Sequence, residues 1–220
     1  MQNQLPQLWL YDLRPLFENG RWRALLPLLP DERRLRVLAC RKEADAVRLA
    51  GAGFLLQQAL LSFGIPVSRQ RFSKTDWGKP YLLSHGVEFS LTHAGPYAAC
   101  ALDAAPVGVD LDSPRVTLQI AARWFHPQEL SFAASLPAQK QADALLRLWT
   151  AREAYAKQCG CGLCMPPGSF CVELLECGAR VYRDAQLLPL QLQEYPLDGF
   201  RLCLCCKAGR PDITPFSPAI

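Results

Sequence analysis

The sequence predicts an α+β protein of two similar, pseudo-symmetric subdomains, each with a long helix packed on a small, mainly antiparallel sheet. The first observation is a helical pattern between Asp31 and Ser62 that is followed by three short β-like segments. The second is that the same order, a long helix and then strands, returns between residues 139 and 206. Because pockets favour the interface between domains, we expect the functional site where the two halves meet.

The first half combines one long predicted helix with a set of strands. Between Asp31 and Ser62, residues that share a helix face recur three or four positions apart: Val47, Gly51, Phe54, Leu55 and Gln58. Basic residues crowd the beginning of this helix, and Gly64 and Pro66 end it. Segments 87–92, 97–102 and 107–112 have strand-like patterns with turns between them, which predicts a β-meander.

The second half repeats this order. A helix is predicted over residues 139–158, where an apolar stripe precedes Gly160 and Gly162. Strand candidates follow at 170–175, 187–194 and 200–206. We therefore predict subdomains at residues 1–112 and 113–209. Residues 210–220 contain three prolines and are predicted to be a low-structure tail.

Composition and charge narrow the functional classes. The 220 residues are half hydrophobic, which is enough for one or two domains with real cores. Lys and Arg number 24 against 20 Asp and Glu, so the charge favours acidic partners only mildly and does not indicate a nucleic-acid-binding protein. The first ten residues lack the basic and apolar regions of a secretory signal, which argues against export. Pro27 and Pro30 interrupt the Leu-rich stretch at residues 25–29, which argues against a membrane-spanning segment there. We expect a monomeric, cytoplasmic protein with no membrane partner.

The ten cysteines do not predict a metal site. Several of them, including Cys100, Cys171, Cys203 and Cys205, lie in apolar segments typical of small core residues. The run of cysteines at 159, 161 and 164 lacks a well-spaced second pair, which argues against zinc.

Residues 107–112, Val-Gly-Val-Asp-Leu-Asp, are the most informative segment. Side chains alternate along a strand, so Asp110 and Asp112 share one face while Val109 and Leu111 point to the other. Two neighbouring carboxylates repel each other unless a cation lies between them, which favours a divalent metal. The alternative is a solvent-exposed strand face with hydrated carboxylates, and the segment alone does not decide between the two.

Three further polar residues have two possible explanations each. Glu153 lies at the edge of the apolar stripe of the second predicted helix, where a carboxylate needs a partner. An ordinary ion pair with Lys157, one helical turn along, is the simpler explanation. Thr92 and His93 end a predicted strand and suit a phosphate or a sugar hydroxyl, although a structural histidine is the simpler explanation there.

Basic residues gather at the beginning of the first predicted helix: Arg33, Arg34, Arg36, Arg41, Lys42 and Arg48. They suit a polyanion, but they also suit a solvated helix face. Lys79 lies between Gly78 and Pro80 in a turn whose backbone is fixed, so its ammonium is aimed at one place. An ordinary surface lysine is the alternative.

Taken in order, these motifs resemble the two-subdomain, surfactin-synthetase-activating class of 4'-phosphopantetheinyl transferases. The similar segments are Trp-Gly-Lys-Pro at 77–80, Leu-Thr-His-Ala-Gly at 91–95, Val-Gly-Val-Asp-Leu-Asp at 107–112, Trp149 to Lys157 and Gly-Cys-Gly-Leu at 160–163. Phe125 and Glu129 add the family's spaced Phe and Glu. Each motif is weak alone, but five in the right order cover most of the chain and form a specific signature.

The resemblance implies the ligands of a metal and of coenzyme A. It implies Mg²⁺ held by Asp110, Asp112 and Glu153 together with the pyrophosphate of coenzyme A. It implies contacts to the phosphates, the nucleotide and the 3'-phosphate of coenzyme A from Lys157, His93, Lys79, Arg48, Arg33 and Arg36. Thr92 stands where the family often has serine.

The family reaction implies roles for two of these residues. A serine of an apo acyl or peptidyl carrier protein attacks the β-phosphate of coenzyme A, and 3',5'-ADP is released. Glu153 is the expected base, directly or through a metal-bound water, and Lys157 is expected to stabilise charge on the pyrophosphate. Two residues depart from the family pattern. Asp112 replaces a common Glu and has a shorter reach, and Cys161 replaces a common basic residue.

A non-catalytic module that binds coenzyme A or a similar phosphorylated ligand is the alternative function. Such a module needs the basic residues, but it gains nothing from three carboxylates near the phosphates unless a cation neutralises them. The acidic residues therefore favour the enzyme.

Overall fold

The computed structural model describes residues 5–83, 86–162 and 165–218. In these residues the helices are α1 (Arg14–Phe17), α2 (Asp31–Leu38), α3 (Glu43–Ser62), α4 (Leu118–Trp124), α5 (Pro127–Ser135) and α6 (Ala138–Cys159). The strands are β1 (Gln7–Asp12), β2 (Phe72–Lys74), β3 (Pro80–Leu82), β4 (Glu88–Ala94), β5 (Tyr97–Asp103), β6 (Gly108–Asp112), β7 (Cys171–Leu174), β8 (Ala179–Arg183), β9 (Gln186–Leu187), β10 (Gln191–Leu197), β11 (Phe200–Cys206) and β12 (Ile213–Phe216). Short 3₁₀ segments cover Arg21–Leu28 and Val67–Arg69. The predicted α+β class is confirmed.

Two sheets organise most of the strands. The first sheet has the order β12-β1-β5-β4, and its pairs are antiparallel except for β1 with β12. The second sheet has the order β6-β11-β10-β8-β7, all antiparallel, with β9 paired to β8. The predicted meander is only partly right, because β4 pairs with β5 but β6 pairs with β11. Since β1 already occupies the other edge of β5, β6 finds its partner in the second sheet.

The C-terminal segment returns to the first sheet. Strand β12 runs parallel to β1, and Phe216 packs edge-on against Tyr11 with ring centroids 5.0 Å apart. The prediction of a low-structure tail is therefore wrong for Ile213–Phe216. Pro215 is compatible with this strand because β12 lies at the edge of the sheet, where a residue without an N–H is tolerated. The predicted boundaries at 112 and 209 stay predictions.

The single helix predicted between Asp31 and Ser62 is two helices. Helix α2 ends at Leu38, and α3 begins after Lys42, whose backbone is extended at φ −106° and ψ 130°. Helix α2 packs against α3, and the stem of Arg33 lies where a Cβ on Gly53 would overlap it. Packing of this basic helix against α3 therefore overrides the local preference for one continuous helix.

Buried residues form three hydrophobic clusters within the described residues. One lies around α3 and the first sheet, and another lies around α6 and the second sheet. The third joins β1 and β5 to β6 and β11. The prediction of core residues holds for Cys100, Cys203 and Cys205 but not for Cys171, which is half-buried. Cys206 is a further buried thiol, and the other described cysteines are half-buried or exposed. Cys164 lies outside the described residues.

The helices of residues 5–83, 86–162 and 165–218 include none whose length and apolar character would let it span a bilayer.

Helix α6 packs directly on β6, and a glycine permits the close approach. A Cβ on Gly108 would overlap the carbonyl oxygen of Ala154 and would lie 2.5 Å from the backbone nitrogen of Gln158. Both atoms belong to the backbone of α6, so no side-chain rotation can relieve the overlap. Gly108 therefore sets the distance between the two elements that carry the predicted acidic residues.

Replacing Gly108 with alanine is expected to lower the free energy of unfolding by about 1 to 3 kcal/mol, because the added methyl group overpacks against backbone. Urea titration measures this loss. Gly53→Ala is the matched control, because its Cβ meets only the flexible side chain of Arg33. Alanine is also favoured over glycine in a helix interior by about 0.5 to 1 kcal/mol. Equal losses in the two variants would contradict the role of Gly108.

Candidate active site

A cavity of about 960 Å³ lies between α2, α3, β4, β6 and α6. Nine of the ten residues predicted from the sequence line it: Arg33, Arg36, Arg48, Thr92, His93, Asp110, Asp112, Glu153 and Lys157. Residues that are far apart in the sequence therefore come together in one place. Lys79 is the predicted residue that does not line this cavity.

Strand β6 presents its two aspartates to the cavity as its alternation predicts. Val109 and Leu111 are buried in the cluster between the sheets, whereas Asp110 and Asp112 line the cavity. The two aspartates are only 7% and 5% exposed. The alternative of hydrated carboxylates on an exposed strand face is therefore wrong. Carboxylates buried to this extent need a cationic partner.

Asp110 is paired with a lysine from α6. The Nζ of Lys157 donates a hydrogen bond to Asp110 Oδ1 at 2.7 Å and another to the carbonyl oxygen of Val109 at 3.1 Å. The hydroxyl of Thr92 also donates to Asp110 Oδ1, at 3.3 Å. Lys157 thus connects α6 to β6 at the floor of the cavity.

Asp112 is paired with an arginine that was not predicted from the sequence. The Nε of Arg115 donates to Asp112 Oδ2 at 2.8 Å, and the backbone N–H of Ser113 donates to Asp112 Oδ1 at 2.8 Å. Arg115 lines the cavity as well. One sequence signal could have indicated this ion pair: a basic residue lies three positions after an acidic residue at the end of a predicted strand.

Glu153 is the third carboxylate of the cavity. Burial raises the pKa of Glu153, and the nearby charge of Asp110 raises it further, while Lys157 lowers it. The simple ion pair between Glu153 and Lys157 is not formed, because Lys157 reaches across to Asp110. Within the described residues, Glu153 makes no hydrogen bond or ion pair. Its negative charge therefore has no cationic partner in direct contact among them.

The oxygen donors suit a hard divalent cation, although the side chains do not converge on one point. No three His, Cys, Asp or Glu side chains of the described residues are close enough together to form a metal site. Two of the three carboxylates are held by Lys157 and Arg115 instead. Three carboxylates without cysteine or histidine match the preference of Mg²⁺ for oxygen ligands.

Two hydroxyl groups on β4 hold β6 in place beside the cavity. The backbone N–H of Val109 donates to Ser90 Oγ at 3.0 Å, and the backbone N–H of Leu111 donates to Thr92 Oγ1 at 3.3 Å. Edge strands of the two sheets are thus joined through side chains rather than through a backbone ladder. Thr92 has a structural role here in addition to its contact with Asp110.

The other side of the cavity is cationic. Arg33, Arg36 and Arg48 come from α2 and α3, and burial lowers the pKa of Arg33. Burial also lowers the pKa of His93, and the charges of Arg48 and Lys157 lower it further. The lowered pKa favours the neutral imidazole, which has one N–H donor and one acceptor nitrogen. The cavity thus has a basic wall opposite an acidic one.

Lys79 points elsewhere. Its Nζ donates to the carbonyl oxygen of Val107 at 3.2 Å, and burial lowers the pKa of the ammonium. It lines a smaller neighbouring cavity of about 230 Å³ together with Trp77 and Gly160. The observed contact of Lys79 is therefore a structural one. The contact between Lys79 and the nucleotide of coenzyme A stays a prediction. Leu163 of the Gly-x-Gly-Leu motif lies outside the described residues.

A buried ion pair beside Glu153 was also missed. Arg152 Nη1 donates to both carboxylate oxygens of Glu129 at 2.8 Å, and its Nη2 donates to the carbonyl oxygen of Trp124 at 2.6 Å. The backbone N–H of Val172 donates to Glu129 at 2.6 Å. Burial raises the pKa of Glu129, while Arg152 and the backbone hydrogen bonds lower it. The pair ties α6 to α5 and to β7.

Comparison with known proteins places this chain in a family. Residues 106–205 match the model of the 4'-phosphopantetheinyl transferase superfamily. The chain is 29% identical over 212 residues to 4'-phosphopantetheinyl transferase Sfp of Bacillus subtilis (strain 168), covering 92% of each chain. It is 31% identical over 209 residues to 4'-phosphopantetheinyl transferase ffp of Bacillus subtilis, again covering 92% of each chain. The chain belongs to the Sfp class of 4'-phosphopantetheinyl transferases. A further relative is 4'-phosphopantetheinyl transferase gsp of Aneurinibacillus migulanus, with 28% identity over 74% of this chain and 69% of the relative.

As a 4'-phosphopantetheinyl transferase the protein is an enzyme, so the alternative of a non-catalytic binding module is set aside. The matched region begins just before β6 and ends within β11, so it contains the three carboxylates and Lys157. The basic wall on α2 and α3 lies outside that region. The basic wall does lie within the part of the chain that the nearly full-length relatives cover.

Proposed function

We propose that this transferase moves the 4'-phosphopantetheine group from coenzyme A to a serine of an apo acyl or peptidyl carrier protein, with Mg²⁺ bound, and releases 3',5'-ADP. The observation that carries the proposal is one cavity in which basic side chains face three carboxylates. Basic side chains attract a polyanion, whereas carboxylates repel it unless a divalent cation lies between them. Coenzyme A together with Mg²⁺ has this distribution of charge.

The basic wall is proposed to bind coenzyme A through its phosphates. Arg33 and Arg36 are assigned to the 3'-phosphate and Arg48 to the nucleotide, because a guanidinium binds phosphate oxygens in a bidentate manner. Burial of Arg33 supports this assignment, since a buried charge is less screened by salt. Thr92 and the neutral His93 supply uncharged donors for the pyrophosphate.

The acidic wall is proposed to bind the metal. Asp110 and Glu153 would hold Mg²⁺ directly and Asp112 would hold it directly or through a water, and their oxygen donors support that choice of ion. When bound, the ion would neutralise the carboxylates and withdraw negative charge from the pyrophosphate.

The side chains of α6 are proposed to carry the proton transfer and the charge stabilisation. Glu153 accepts the proton of the carrier serine hydroxyl while the serine oxygen attacks the β-phosphate. Its place in the cavity beside Asp110 and Lys157 supports this role. Lys157 stabilises the negative charge that the leaving 3',5'-ADP takes up. Binding of both reactants beside Glu153 would remove much of the entropic cost of the reaction.

The two predicted subdomains, residues 1–112 and 113–209, are proposed to be related halves with the active site between them. The cavity supports a site between two units because α3 and β4 form one side of it and β6 and α6 form the other. Strand β6 lies within residues 1–112 of the chain, but it pairs with β11 of the second sheet. The packing of α3 on β5 of the first sheet and of α6 on β11 of the second sheet supports two similar units.

The proposed reaction is tested by mass spectrometry of an apo carrier protein. With the purified enzyme, coenzyme A and Mg²⁺, the mass of the carrier is expected to rise by one phosphopantetheine group. Chelation of Mg²⁺ is expected to abolish the change. An unchanged mass across several apo acyl and peptidyl carriers would contradict the proposal. Values of kcat/KM across such a panel then identify the preferred carrier.

A further inference from the structure

Asp112 is the one of the cavity's three carboxylates that accepts hydrogen bonds on both oxygens within the described residues. Its Oδ1 accepts the backbone N–H of Ser113 at 2.8 Å, and its Oδ2 accepts Arg115 Nε at 2.8 Å and Arg115 Nη2 at 2.7 Å. Both oxygens of Asp112 therefore accept hydrogen bonds, and Oδ2 also has an ion-pair partner. The Asp112 side chain is 6% exposed and that of Arg115 is 68% exposed, so the guanidinium lies on the solvent side of the carboxylate.

Asp110 and Glu153 keep oxygens available. Lys157 and Thr92 both donate to Oδ1 of Asp110, which leaves its Oδ2 without a hydrogen bond in the part of the chain that the structure describes. The carboxylate of Glu153 accepts no hydrogen bond from these residues either. A cation that enters the cavity therefore finds oxygens without a hydrogen bond on Asp110 and Glu153, whereas both oxygens of Asp112 already accept hydrogen bonds.

We infer that Arg115 is a positioning residue that keeps Asp112 out of direct contact with the metal ion and thereby sets the metal selectivity of the site. The inference rests on the proposed function, because it requires the cation site. With Asp112 held by Arg115, Asp110 and Glu153 are the direct protein ligands, and Asp112 acts on the ion through water. Arg115 also neutralises one of three negative charges, which weakens the attraction of the site for any cation.

Two direct carboxylates suit Mg²⁺ better than Ca²⁺. Mg²⁺ binds through one or two carboxylates and keeps several of its waters, whereas Ca²⁺ takes roughly six to eight oxygen ligands and accepts bidentate carboxylates. A freed Asp112 would add a ligand that Ca²⁺ uses more readily than Mg²⁺. Removing Arg115 therefore strengthens the binding of both ions and strengthens that of Ca²⁺ more.

Metal binding is measured without turnover, in the full chain with coenzyme A and no carrier protein. Mn²⁺ titration followed by electron paramagnetic resonance of the free ion gives the affinity, and Mg²⁺ and Ca²⁺ are then added as competitors. Arg115→Ala is expected to bind Mn²⁺ about tenfold more tightly, as expected for the loss of one positive charge near a divalent ion. The ratio of Ca²⁺ to Mg²⁺ affinity is expected to rise about fivefold or more.

Two further variants separate the role of Arg115 from a general effect of charge. Arg123→Ala removes an exposed arginine of α4 and is expected to leave affinity and selectivity unchanged. In an Asp112→Asn background, Arg115→Ala is expected to leave the Ca²⁺ to Mg²⁺ ratio unchanged, because no carboxylate is freed. Arg115→Gln gives the same measurement should circular dichroism show that Arg115→Ala does not fold.

The outcomes distinguish the inference from the proposed function. Normal Mn²⁺ binding by the unaltered protein, together with an unchanged ion ratio in Arg115→Ala, would overturn the role of Arg115 and leave the metal site intact. Weaker Mn²⁺ binding in Arg115→Ala would likewise overturn it. Failure of the unaltered protein to bind Mn²⁺ in the presence of coenzyme A would remove the proposed metal site and the inference with it.

Discussion

Replacing Glu153 with glutamine is expected to lower kcat about 100- to 10,000-fold, the range typical of a lost general base. The substitution keeps the size of the side chain and removes its charge and basicity. The dissociation constant of coenzyme A is expected to change far less, by about threefold, because the proton is transferred only in the transition state. Steady-state kinetics with an apo carrier protein measures kcat, and isothermal calorimetry measures coenzyme A binding.

Glu173→Gln is the matched control for this prediction. Glu173 is an exposed glutamate of β7 that accepts a hydrogen bond from Tyr182 and lies outside the cavity. The turnover of the Glu173→Gln variant is expected to stay normal. Near-normal turnover in Glu153→Gln would remove Glu153 from the role of base. An equal fall in turnover and in coenzyme A affinity would assign Glu153 to ground-state binding instead.

Replacing Arg152 with methionine is expected to lower the free energy of unfolding by about 3 to 5 kcal/mol. The methionine fills much of the arginine volume but leaves Glu129, whose side chain is completely buried, without its cationic partner. Urea titration followed by circular dichroism measures the loss. Arg34→Met is the control, because the pair of Arg34 with Asp31 is exposed and its loss is expected to cost less than about 1 kcal/mol.

The loss in Arg152→Met is also expected to depend on pH. Burial raises the pKa of Glu129, and removing Arg152 takes away the largest influence that lowers it. A carboxyl whose pKa is higher in the folded than in the unfolded state binds its proton more tightly when folded, so stability falls as pH rises above the unfolded pKa. The loss is therefore expected to be smaller at about pH 5 than at about pH 8. Equal losses at both pH values would show that Glu129 does not take up the proton.

Local periodicity was sufficient to predict how the acidic residues of the candidate site are placed within their own strand or helix. The alternation of β6 put Asp110 and Asp112 on one face, and helical spacing put Glu153 and Lys157 one turn apart on α6. These are properties of a single element, and a sequence pattern reports them directly. The resemblance to a known family then predicted that the elements meet, and the cavity brings nine of the ten predicted residues together.

Partners across the fold were not predictable in the same way. Lys157 has a carboxylate four residues before it, yet it pairs with Asp110, which lies 47 residues away in the sequence. The choice depends on how closely α6 approaches β6, which Gly108 permits and no local pattern records. The break between α2 and α3 has a similar origin. It depends on the packing of Arg33 against Gly53, and neither Gly nor Pro marks it in residues 39–42.

The parallel pairing of β12 with β1 has a consequence for synthesis on the ribosome. Strand β1 ends at Asp12 and β12 begins at Ile213. The ribosome therefore adds about 200 residues after β1 before the strand that pairs with it in parallel is synthesised. At roughly 5 to 20 residues per second, that interval is about 10 to 40 s. During it, the edge of β1 that β12 later covers is open to other chains. Nascent protein is therefore most exposed to edge-to-edge association before its C-terminal residues emerge.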